Sequence, residues 1–125
     1  MNGEERPRIM RWHRMADDLS TLFDRIRGLI EARPGDPDVP LLTTMEHTLT
    51  DGYARALELE SEVLRIERRI GELAHEIDHP DEAEELRGLA TRLRVTRERL
   101  DSLRGLLAEL KLSVETARTA TQPAS

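Results

Sequence analysis

The chain has 125 residues, a formal charge of −6, 35% charged residues and only 2% aromatic ones, the composition of long or coiled helices and not of an enzyme with a thick core. That length fits one domain and is too short for a substrate domain plus a cofactor domain. The absence of cysteine removes disulfides, thiolate metal sites and cysteine nucleophiles, and the net negative charge gives no general attraction for nucleic acid or anionic membrane.

A polar, frayed start over 1–7 precedes Trp12, Ala16, Leu19, Phe23, Ile26 and Ile30, which fall alternately four and three apart, the spacing of a helix. Met15, Leu22 and Leu29 widen that stripe, so the first helix, residues 8–33, has a face broad enough for two neighbours. Pro34, Pro37 and Pro40 then predict a stiff linker over 34–42. No early apolar run has the length of a signal peptide or a membrane span, so the chain is read as cytoplasmic, with no membrane partner.

Helix two is predicted over 43–78, capped by Thr43 or Thr44. Leu49, Gly52, Ala56, Leu59, Val63, Ile66, Ile70, Leu73 and Ile77 form its seam at three-four spacing. Pro80 disfavours helical geometry at the residue before it and suits the first turn of a new helix, so 79–81 reads as a tip turn. Helix three follows over 82–118, with Leu86, Leu89, Leu93, Thr96, Leu100, Leu103, Leu107, Leu110, Val114 and Ala117 as its seam. Asp81, Glu82, Glu84 and Glu85 load its first turn with charge that the helix dipole favours. Residues 119–125 are small and polar, which predicts a disordered tail.

Two helices of matched length joined by so short a turn must return antiparallel. The expected fold is therefore all-α and a single domain: a long antiparallel coiled-coil helical hairpin with a shorter N-terminal helix packed on it. The short helix makes a three-helix bundle at the open end and leaves the tip half to project. Flanking charges agree, since Glu60, Glu62, Glu67 and Glu76 on helix two oppose Arg92, Arg97, Arg99, Arg104 and Lys111 on helix three. Folding about Pro80 places Val63 near Thr96, Gly52 and Ala56 near Leu107 and Leu103, Glu62 near Arg99 and Glu67 near Arg97. It also brings Glu76 near Glu85 and Arg69 near Arg92, like charges that mean either a local error of register or a partner. Leu57, Leu64 and Leu106 lie off the seam, and such extra apolar surface predicts a homodimer.

His75, Glu76 and His79 spell H-E-x-x-H, which on a helix would aim two imidazoles at zinc with the glutamate as general base. Pro80 disfavours helical geometry at His79 and the seam claims Ile77, so the match is read as coincidence and no metal or cofactor is expected. The tip carries Asp78, Asp81 and Ala83 in the form D-x-x-D-x-A, and a short helix precedes the hairpin. In this it resembles the coiled-coil transcription factors that enter the secondary channel of RNA polymerase. The resemblance implies a regulator acting through an acidic tip, although members of that family usually carry a four-cysteine zinc module and this chain has no cysteine.

Arg6, Arg8, Arg11 and Arg14 with Trp12 are bracketed by Glu4, Glu5, Asp17 and Asp18, so they read as a solvated helix face, and nucleic acid is not an expected partner. A helical-bundle enzyme of the chorismate mutase kind would need inward-facing Arg or Lys, and these seams are almost purely aliphatic. The sequence thus points to a non-enzymatic protein–protein interaction or scaffold module, with the polymerase regulator as the alternative. The candidate partner-binding residues are Asp78, Asp81, Glu82, Ala83, Glu85, Arg69 and Arg92.

Overall fold

A computed structural model describes residues 6–32, 41–75 and 79–121, with side chains over 18–32, 41–75 and 79–120. Three helices account for nearly all of it: α1 Arg6–Glu31, α2 Leu42–Ala74 and α3 Pro80–Thr121. Most of the expected linker, and residues 122–125 of the expected tail, lie outside the described residues; 119–121 continue α3.

The fold is all-α, a long antiparallel hairpin of α2 and α3 with the shorter α1 ahead of it. Helix starts follow from local chemistry. The Leu41 carbonyl accepts the amides of Thr44 at 2.9 Å and Met45 at 3.2 Å, so α2 opens ahead of Thr43. At α3 the His79 carbonyl accepts the amides of Glu82 at 3.1 Å and Ala83 at 3.4 Å. Pro80 occupies the first helical position, where its missing N–H has no role to lose.

The chain forms two compact units, one of Met1–Thr50 with Leu106–Ser125 and one of Asp51–Gly105. The first is a three-helix bundle. In it α1 buries Leu19, Leu22 and Ile26, α2 buries Met45 and Thr48, and α3 buries Leu107, Leu110 and Val114. Arg25 Nη2 donates to Thr48 Oγ1 at 3.1 Å, and that hydroxyl donates to the Thr44 carbonyl at 2.9 Å. Across the same unit, Arg118 Nε meets Glu46 Oε1 at 3.2 Å.

The second unit is a two-helix seam of Ala56, Leu59, Val63, Ile66 and Leu73 on α2 with Thr96, Leu100 and Leu103 on α3. Ion pairs on its two flanks set the register. On one flank Arg97 Nη2 lies 3.4 Å from Glu67 Oε1, and Arg104 pairs with Glu60. On the other, Arg92 Nη2 lies 3.3 Å from Glu62 Oε1 and Arg69 Nη2 lies 3.2 Å from Glu85 Oε1. These pairs bracket Val63 and Thr96 as neighbours in the seam, the register that the sequence predicts.

On one flank the ion pairs differ from those expected. Glu62 pairs with Arg92 and not with Arg99, and Arg69 pairs with Glu85 and not against Arg92. Both partners lie one heptad closer to the connection than expected, for a simple reason. In an antiparallel pair, residues that follow a seam position meet residues that follow one, and residues that precede meet residues that precede. Glu67 and Arg97 follow Ile66 and Thr96, while Glu62 and Arg92 precede Val63 and Leu93. A single offset cannot serve both flanks, and the expected clash of Arg69 with Arg92 was a product of using one.

Candidate functional site

The connection between α2 and α3 holds most of the candidate residues. Asp78 lies outside the described residues, as do Glu76 and Ile77. Asp81 is exposed in the first turn of α3, Glu82 and Ala83 are half-buried, and Glu85 is exposed. The structure ties Glu85 to Arg69: Nε and Nη2 both donate to Oε1, at 3.3 and 3.2 Å. Arg69 Nη1 also donates to Glu72 Oε2 at 3.4 Å. The hydrogen bond to Glu85 is the main cause that pushes the Arg69 pKa above the ordinary arginine value. A raised pKa keeps this cation charged at every pH below that value, so the pairing is insensitive to pH from the arginine side.

Arg92 is likewise engaged, with Glu62, on the same flank. The candidate residues thus fall into two groups that the sequence had merged. Arg69, Glu85 and Arg92 serve the hairpin's own register, whereas Asp81 presents its carboxylate to solvent at the start of α3. Of the H-E-x-x-H residues, His75 follows the end of α2 at Ala74 and His79 precedes Pro80, the first residue of α3; both are exposed, and Glu76 lies outside the described residues. The side chains of Arg6, Arg8, Arg11, Trp12 and Arg14 lie outside those described.

The outer face of α2 in the unit Asp51–Gly105 carries a different feature. Leu57 and Leu64 are 64% and 62% exposed, and Tyr53 is 44% exposed. At about 100° per residue these three fall within about 40° of arc, along roughly 16 Å of helix. Gly71 continues the line one heptad beyond Leu64, and a Cβ built there meets nothing within 4 Å. Sequence reading found Leu57 and Leu64 off the seam but missed Tyr53, which sits beside the seam residue Gly52 and so reads as its neighbour. Leu106 proves half-buried, while Leu112 and Leu41 are exposed.

Among the described residues the buried polar side chains are Thr48 and Thr96, and no group of three metal-ligating side chains comes together. The same residues include no helix long and apolar enough to cross a membrane. No protein family, curated protein or solved structure matches the chain.

Proposed function

We propose that this chain is a non-enzymatic protein–protein interaction module, a helical scaffold of the cytoplasm that also associates with itself. One observation carries the reading: two leucines and a tyrosine stay exposed in a line on a regular helix whose other face is already filled by its own hairpin seam. An aligned apolar stripe on an exposed helix face is a feature of association surfaces, where single scattered apolar residues are not. The polar chemistry supports the same reading, since Glu60, Glu62, Glu67 and Arg69 of α2 are taken up by pairs with α3 that select register.

A second reading rests on Asp81, whose carboxylate is exposed at the first turn of α3 beside the connection. With Asp78 and Ala83 it keeps the D-x-x-D-x-A form, and as a regulator the chain would present this end to RNA polymerase.

Affinity capture from native lysate separates the two. The intact chain is compared with Leu57→Glu/Leu64→Glu and with a chain whose residues 76–85 are replaced by a neutral turn. The module reading expects a defined polypeptide that the intact chain retains and the leucine variant loses. Retention of polymerase that depends on 76–85, with loss of an in vitro transcription effect in Asp81→Asn, supports the regulator instead. If all three baits retain the same background, the module reading is wrong.

A further inference from the structure

On the flank where Arg97 meets Glu67 and Arg104 pairs with Glu60, the ion pairs come one heptad apart on each helix. One heptad further toward the connection the same two positions hold Ala74 and Ala90, both exposed, so the ladder ends in an open rung. Beside it the seam residues Ile70, Leu86 and Leu93 are only half-buried, and a Cβ built on exposed Gly71 meets nothing within 4 Å. All of these belong to the unit Asp51–Gly105. We propose that this end of the flank docks an amphipathic helix of a partner protein, apolar on one face and acidic along one edge. The surface lies between the two helices and does not use the stripe of Tyr53, Leu57 and Leu64. It adds to the interaction-module reading and can fail without it.

Packing explains the apolar face. Where long charged side chains follow the seam, as at Glu60, Glu67, Arg97 and Arg104, their stems cover it from that side. The two methyl groups of Ala74 and Ala90 leave it uncovered, and small side chains let another helix approach closely. Ile70, Leu86 and Leu93 then offer apolar area that a third helix would take from water. In the three-helix unit a third helix is present, and there Leu107, Leu110 and Val114 fall to 0–1% exposed.

Charge explains the acidic edge. Arg87 and Arg94 stand one heptad apart on α3, each just after a seam residue, exposed on the outer side of Ala90. Arg87 makes no ion pair with the described residues. Arg94 has Glu98 at 3.7 Å in its own helix, an exposed i,i+4 pair that is readily exchanged. Glu67, the nearest acid of α2 on this flank, is held by Arg97. Asp101, one heptad past Arg94, lies between Arg97 and Arg104 and so beyond the open rung. An acidic edge on the incoming helix therefore meets cations, and a basic edge meets its own sign. The open stretch from Leu86 to Arg94 is about 12 Å of helix, which puts the contact in the class of weak, reversible ones.

The probe is a fluorescein-labelled amphipathic peptide of leucine and glutamate, about 18 residues long, beside the same pattern with lysine for glutamate. Each is titrated with the purified full chain to about 1 mM and read by fluorescence anisotropy. The acidic peptide is expected to bind at least about tenfold more tightly than the basic one, and less tightly as salt rises. Arg87→Glu/Arg94→Glu should weaken that binding by about tenfold. Ala74→Glu/Ala90→Arg adds the missing rung to the ladder, so it should keep the far-UV circular dichroism and the urea midpoint while abolishing binding. Equal binding of the two peptides, or none of either, overturns the acidic partner. Acidic-peptide binding that survives either double substitution overturns the site. Self-association of the purified chain that Ala74→Glu/Ala90→Arg abolishes makes the occupant a second copy and overturns the partner helix. None of these results bears on capture from lysate through Leu57 and Leu64, so the interaction-module reading is judged apart from them.

Discussion

Thr48 and Thr96 are the same side chain in two kinds of burial, and the difference sets opposite expectations for one substitution. Thr48 is 1% exposed, donates to the Thr44 carbonyl and accepts from Arg25, which joins α1 to α2. Thr48→Val removes both the acceptor for Arg25 and the donor to the Thr44 carbonyl, so it should cost about 1 kcal/mol. Thr96 is 7% exposed and stands in an otherwise aliphatic seam beside Val63. Thr96→Val exchanges a hydroxyl for a methyl among aliphatic neighbours and should be neutral or stabilising, by up to about 1 kcal/mol. Urea midpoints at constant slope measure both. A clear loss in Thr96→Val would mean that its hydroxyl is needed within the seam, against the present account. Thr96 was legible in the sequence because it interrupts a three-four stripe. Thr48 was not, because it lies beside the stripe residue Leu49, and the partner that explains its burial belongs to another helix.

The paired helices show what periodicity can and cannot reveal. The seam was readable because each apolar position repeats against water on the other faces, and burial at Leu59, Val63, Ile66, Leu100 and Leu103 follows it. The flanks were half readable: Glu67 with Arg97 stands as expected, while Glu62 finds Arg92. The connection was least readable, since α2 ends at Ala74, 76–78 lie outside the described residues, and no heptad pattern marks where a helix yields to a turn. The flank assignment has a direct test in double-mutant cycles. The Glu62–Arg92 cycle should show coupling of about 0.2–1 kcal/mol, and the Glu62–Arg99 cycle should show none. Restoration of Glu62→Arg by Arg99→Glu, and not by Arg92→Glu, would shift the flank by a heptad and bring back the Arg69–Arg92 clash.

Along α3 burial is graded, and stability should be graded with it. Leu86, Leu89 and Leu93 are only half-buried, Leu100 is 5% exposed, and Leu103, Leu107, Leu110 and Val114 are at 0–1%. The half-buried residues, with Leu100 and Leu103, belong to the unit Asp51–Gly105; the residues from Leu107 onward belong to the unit that also contains α1. Fewer buried apolar contacts mean a smaller free energy of local opening. Full burial of a Leu side chain stabilises by about 1.5–3 kcal/mol, and half-burial by correspondingly less. Native-state hydrogen exchange should therefore find amide protection rising along α3, lowest over 84–93 and highest over 103–114, with the α2 amides nearest Ala74 opening along with the first of these. Mild denaturant should erase the low end first and leave the high end tracking global unfolding. A flat protection profile along α3 would show that the helix opens only as one cooperative piece, and that the thin seam beside the connection is not the weak part of this molecule.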